Sequence, residues 1–93
     1  MNVASLQNLI IERAAKAVAQ DPSTIDPQES WESIGLDSIA EMALIGELQA
    51  RLGVRVSAEA MWEINSIAQL AEYFVERWNV AQTRPQRAIG AGT

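Results

Sequence analysis

The sequence predicts an all-α protein: a four-helix bundle with three longer helices, one short helix and a long first loop. Three observations predict it. Apolar residues recur at three- and four-residue steps over three separate stretches. No alternating run is long enough to pair as a strand. The 93 residues are 48% hydrophobic and 20% charged, the balance of a single globular domain. Of the apolar residues 15 are Ala, so the core is expected to be small.

The first helix is read over Val3 to Ala19, where Val3, Leu6, Ile10, Ala14, Ala17 and Val18 share a side, Asn2 is placed to cap and Pro22 closes the far end. From Asp21 to Leu36 the chain carries Pro22, Pro27 and Gly35 among polar residues. This reads as a long loop with one helical turn near Glu29 to Ser33, pinned to the core by Ile25, Trp31, Ile34 and Leu36. The second helix is expected at Ser38 to Leu52, with Gly53 at the position after its end and Leu44, Ile45, Leu48 and Leu52 facing the core. Val54 to Val56 alternates like a strand but has nothing to pair with, so it is read as a connection into a short helix, Ala58 to Glu63, capped by Ser57. Ser66 and Gln69 have capping-box spacing at the start of the last helix, whose Ile67, Leu70, Ala71, Phe74, Val75 and Trp78 form the clearest apolar stripe in the chain. Past Trp78 the pattern dissolves. The domain is therefore expected over residues 1–78, and residues 79–93, with Pro85, Gly90 and Gly92, as a flexible tail or linker.

Composition narrows the chemistry. With no Cys and no His, the chain lacks a thiolate nucleophile, a sulfur metal site, the usual general base and the usual zinc ligand. Carboxylates, one Lys, one Tyr and hydroxyls remain, and no reacting pair can be picked from them, which argues against an enzyme. The net charge of −5 is uneven: Ala17 to Ala50 holds seven acidic residues and no basic one, while each flank sums to +1. Nucleic-acid binding needs clustered Lys and Arg, so none is expected, and a basic protein surface is the fitting partner. No apolar run approaches a membrane span and no secretion signal is evident, so a cytoplasmic monomer is expected.

Ser38 stands out because it follows a Gly-Leu-Asp turn where the long loop meets the second helix, and a helix start presents free N–H groups that favour an anion. Ser38 and Glu41 also have capping-box spacing, and Asp37 is itself a preferred N-cap residue, so both side chains have a purely structural alternative.

Gly35-Leu36-Asp37-Ser38-Ile39 resembles the attachment motif of the acyl and peptidyl carrier proteins of fatty acid, polyketide and nonribosomal peptide synthesis. The likeness continues through Leu48 and Leu52-Gly53-Val54-Arg55-Val56. Met61-Trp62 then stands where the family has an apolar pair, Asn65-Ser66 where Pro-Thr is common, and Leu70-Ala71 and Tyr73 follow; Gly35 to Val56 is the specific part. The resemblance implies the family's helical bundle and a non-catalytic protein. It implies that Ser38 receives the 4′-phosphopantetheine arm of coenzyme A from a phosphopantetheinyl transferase, with Asp37 as the adjacent motif residue that helps hold the transferase's metal. The arm brings the thiol that this chain lacks, and the loaded carrier then serves acyl-loading and chain-extending enzymes such as an acyltransferase or ketosynthase.

Carriers of this kind dock through the second helix, which implies partner contacts at Ile39, Ala43 and Glu47. Ile39, Ala43, Gly46 and Ala50 form a stripe of mostly small residues. Packing against another helix of the bundle is the preferred reading and a docking track the alternative. Helical angles put Glu41 on the core side as the capping partner of Ser38. The helix is less acidic than in fatty-acid-type carriers, and Leu36-Asp37 replaces the Gly-rich turn of many peptidyl carriers, which points to polyketide or related specialised biosynthesis. A peptidyl or aryl carrier, and a cofactor-free acidic interaction domain, are the alternatives. Trp62 reads as a core aromatic bordering any cavity for the acyl chain, and Trp31 and Trp78 as core residues.

Overall fold

The structure, a computed structural model, describes residues 1–83. Helix α1 spans Val3–Val18, a short 3-10 turn Pro22–Thr24, α2 Ser38–Leu52, α3 Ala58–Glu63 and α4 Ile67–Thr83. No strand forms among the described residues; a single antiparallel bridge joins Ser30 to Ser66.

Each helix starts where a short polar side chain meets its orphan N–H groups. Asn2 Oδ1 accepts from Ser5 N at 2.7 Å, Ser57 Oγ from Ala60 N at 3.1 Å and Ser66 Oγ from Gln69 N at 3.2 Å. Gln69 reaches back with Oε1 to Asn65 N at 2.6 Å, so the expected box closes one residue further out than its usual form. At the other ends, α1 stops on Ala19 and α2 on Gly53, both in the left-handed conformation.

Helix α1 packs most extensively on α4 and less on α2. Small Ala14, Ala15 and Ala71 are buried with Ile10, Ile67, Leu70 and Phe74, and Ile45 and Leu48 of α2 complete the centre. Leu44 is also buried, whereas Leu52 is half-buried at the margin.

The long loop forms a wall of the bundle. Ile25, Trp31, Ile34 and Leu36 are all buried, and the helical turn falls one residue later than expected, with Ile34 N on Ser30 O at 3.2 Å and Leu36 N on Trp31 O at 3.0 Å. Three bonds lace the loop to the α3–α4 corner: Trp31 N to Asn65 O at 3.1 Å, Ala68 N to Pro27 O at 2.9 Å, and Trp31 Nε1 to Ile64 O at 3.3 Å. Val54 and Val56 are buried in an irregular connection, which Gln49 Oε1 holds by accepting from Val56 N at 2.7 Å.

Two expectations about burial are corrected. Trp62 is not a core residue: it is 85% exposed, because the other faces of the six-residue α3 turn Ala60 inward and leave Met61 half-buried. The stripe Ile39, Ala43, Gly46 and Ala50 does not pack against another helix; all four are exposed, and a Cβ at Gly46 would have nothing within 4 Å. Helix α4 also continues to Thr83, five residues beyond Trp78. The remainder of the expected tail, 84–93, lies outside the described residues.

Candidate functional site

Ser38 is the first residue of α2 and is exposed. The cap belongs to Asp37, whose Oδ1 accepts from Ala40 N at 2.8 Å while its carbonyl accepts from Glu41 N at 2.9 Å. The expected Ser38–Glu41 capping box therefore does not form: the capping residue precedes Ser38, which sits inside the helix, and no hydrogen bond engages the Ser38 hydroxyl among the described residues. The N–H groups of Ser38 and Ile39, in the first turn, have no partner four residues back within the helix.

Gly35 sets the approach to this turn with φ of 93°, a conformation that disfavours any side chain. Leu36, buried, then anchors the chain immediately before the cap. Local sequence thus presents the Ser38 hydroxyl outward at the end of a laced loop and at the positive end of a fifteen-residue helix.

Two grooves meet at Ser38. One, about 360 Å³, is lined by Ser30, Trp31, Glu32, Leu36, Asp37, Ser38, Glu41 and Asn65 and is polar along the loop side. The other, about 380 Å³, runs between α2 and α3 along Ser38, Glu41, Met42, Ile45, Ala58, Met61 and Trp62 and is largely apolar. No Lys or Arg lines either. Glu41 borders both, and burial raises its carboxyl pKa above the ordinary 4.5.

The other expected site residues divide. Ile39 is 80% exposed, and Ala43 is exposed beside it on α2. Glu47 is ion-paired within the bundle: its Oε2 lies 2.7 Å from Arg13 Nη1 of α1 and 3.9 Å from Arg51 Nη1. Sequence reading missed Met42, 61% exposed, and the exposure of Trp62. The available signal for Met42 was its place one turn after Ile39. The described residues contain no group of three or more metal-ligating side chains.

The arrangement fits a covalent phosphate-linked group. The hydroxyl is exposed and uncommitted, free N–H groups of the helix start adjoin it, and open grooves on both sides leave room for a long substituent. The titratable groups lining the adjoining grooves are carboxylates, and none is hydrogen-bonded to the Ser38 hydroxyl.

Comparison with known proteins agrees with this geometry. Residues 8–74 match the family described as the phosphopantetheine attachment site. A cluster 41 polyketide synthase of Aspergillus flavus is 29% identical over 75 residues, 81% of this chain and 7% of that protein. The 6-methylsalicylic acid synthase of Aspergillus terreus is 30% identical over 53 residues, 57% of this chain and 3% of that protein. The chain thus spans a small fraction of these curated relatives. Among solved structures, a free-standing peptidyl carrier protein from an uncharacterized Acinetobacter baumannii secondary metabolic pathway superposes with a TM-score of 0.72 at 32% identity, covering 81% of this chain and 94% of the other. A helical bundle with this motif at the start of its second helix, matched over most of its length, belongs to the phosphopantetheine-binding carrier family, whose members bear a covalent 4′-phosphopantetheine arm.

Proposed function

We propose that Ser38 is the attachment residue and that the chain serves as an acyl carrier in polyketide or related specialised-metabolite biosynthesis. One observation carries the assignment: Asp37 takes the capping role at 2.8 Å, so the hydroxyl of Ser38 is left exposed and unbonded at the helix start. When bound, the arm supplies a terminal thiol that holds the cargo as a thioester. The protein's own part is to display the hydroxyl, surround the arm's root with helix N–H groups and offer an apolar groove beside it. It catalyses nothing itself.

Loading requires a phosphopantetheinyl transferase. The Ser38 oxygen forms the new phosphodiester bond as the pyrophosphate link of coenzyme A breaks; adenosine 3′,5′-bisphosphate leaves, and the hydroxyl proton passes to a base of the transferase. Asp37 stands beside the reacting oxygen and can help hold that enzyme's metal through the carboxylate oxygen not used in capping. Acyl-loading and chain-extending enzymes, such as an acyltransferase or ketosynthase, are the later partners, in the cytoplasm. No helix among the described residues is long and apolar enough to cross a membrane. The carrier unit is residues 1–78, since Trp78 is the last side chain packed on the core among the described residues, and residues 79–93 are a tail or linker.

Likeness to the Acinetobacter peptidyl carrier favours a second reading, an aminoacyl or peptidyl cargo on the same arm. Intact mass spectrometry after incubation with coenzyme A and a broad-specificity transferase tests the attachment: one added arm on the native chain and none on Ser38→Ala. Labelling that persists in Ser38→Ala sinks the assignment. Tandem mass spectrometry of protein purified from its native host reads the cargo and separates acyl from peptidyl.

A further inference from the structure

A groove of about 480 Å³ runs between α3 and α4, and Ser38 does not line it. Glu59, Trp62 and Glu63 of α3 line one side, Tyr73 and Arg77 of α4 the other. Neither carboxylate has an ion pair among the described residues. Arg77 does not supply one: its guanidinium lies 5.2 Å from the centre of the Tyr73 ring. Within a single chain, then, this groove already seats an arginine on an aromatic face. Trp62 offers a second and larger face. It is 85% exposed, although the other two tryptophans pack on the core, and folding alone gains nothing from an indole held in water.

We infer that the α3–α4 groove is a docking site for an arginine-bearing peptide segment of a partner protein, whose guanidinium stacks on Trp62 while Glu59 and Glu63 hold its charge. Charge selects the occupant. Two carboxylates share the groove with one guanidinium that is already committed to Tyr73, so negative charge is left to satisfy. Shape selects arginine over lysine, because a planar guanidinium lies flat on an indole and still presents N–H donors at its edge to a carboxylate, which a compact ammonium cannot do at once. Glu59 lies three residues before Trp62 on α3, so the two side chains are neighbours on the helix surface. Trp and Arg are also the residue types that most often dominate the affinity of an interface. A segment seated here leaves the Ser38 hydroxyl uncovered, and so tethers the domain to its partner while raising the local concentration of the attachment site.

The test titrates the full isotope-labelled chain with hexaarginine amide, and with hexalysine amide for comparison, while the indole Nε1–H signals of the tryptophans and the backbone amides are followed by NMR. Hexaarginine is expected to move the Trp62 signal and the amides of Glu59 and Glu63 saturably, to leave the Trp31 signal in place, and to bind more tightly than hexalysine. Trp62→Ala is expected to weaken hexaarginine binding about fivefold, with Trp62→Phe recovering most of the loss. Glu59→Gln/Glu63→Gln is expected to weaken it about fivefold and to flatten its salt dependence. Glu29→Gln/Glu32→Gln, which neutralises two carboxylates of the long loop, should match the native chain. All the substituted residues of α3 are exposed, so native circular dichroism in these variants separates lost docking from misfolding. Equal affinity for the two peptides with the Trp62 signal unmoved overturns the site, as does a loss in Glu29→Gln/Glu32→Gln as large as in Glu59→Gln/Glu63→Gln, since either reduces the contact to general charge. A Trp62 signal that moves on Arg84→Gln/Arg87→Gln without any peptide gives the groove to the chain's own C-terminal segment, and one that moves on dilution gives it to a second copy; both outcomes overturn docking of a partner.

Discussion

Asp37 and Ala40 close the first turn of α2 through one hydrogen bond of 2.8 Å from the Ala40 N–H to Oδ1, and this bond decides what Ser38 is free to do. If the cap is Asp37, removing it should cost stability and removing the Ser38 hydroxyl should not. Asp37→Ala is expected to lose about 1 kcal/mol of unfolding free energy in urea, and Asp37→Asn much less. Ser38→Ala should fall within about 0.5 kcal/mol of the native chain. The reverse ranking would show that Ser38 is the capping residue after all.

Arg13 and Glu47 join α1 to α2 at 2.7 Å, but both side chains are more than a third exposed. Solvent screening keeps such a pair weak. A double-mutant cycle over Arg13→Met and Glu47→Gln should give a coupling of about 0.2–1 kcal/mol that shrinks as salt is added. A coupling well above that range would mean the pair is shielded from water.

Glu41 gives a pH signature of definite sign. Burial raises its folded-state pKa above the ordinary 4.5, so the native protein holds this proton to higher pH than the unfolded chain does. The group's contribution to stability is therefore lost as pH rises from below 4.5 through the raised folded value. Glu41→Gln, which cannot ionise, should unfold at higher urea than the native chain above that window, with the difference fading below it. Parallel urea midpoints for the two proteins across the window would refute this origin of the shift.

Two substitutions at one corner should have opposite effects. Ala19 has φ of 57° and no reason to be other than glycine, whereas Gly35 has φ of 93° and its missing Cβ would lie 3.6 Å from Val18 Cγ1. Ala19→Gly is expected to stabilise by about 0.5–1 kcal/mol, and Gly35→Ala to destabilise by about 1–2 kcal/mol, both read from thermal or urea unfolding.

Legibility in the sequence followed the range of the forces involved. The bounds of α2, its end at Gly53, the capping by Asn2, Ser57 and Ser66 and the burial of Ile25, Trp31, Ile34 and Leu36 are set by neighbours within a few residues or by a strong apolar pattern. The attachment motif was likewise visible because it is contiguous. Trp62 was not, since a helix of fewer than two turns has too few apolar positions to define which side faces in. The ion pair of Glu47 was not legible because its partner Arg13 lies 34 residues away on another helix. The end of α4 was set too early because burial stops at Trp78 while the backbone can continue in water, and the first residue that forbids helix is Pro85.

The lacing of the loop has a dynamic consequence. Trp31 and Ala68 each donate a backbone N–H across the seam, to Asn65 and Pro27, and the Trp31 indole adds a third tie. None of these amides can meet solvent unless the seam parts, and parting it at one point loosens the others. Deuterium should therefore enter at Trp31 and Ala68 with a common opening free energy, making the strip of chain that leads to Ser38 a single melting unit with the corner it leans on.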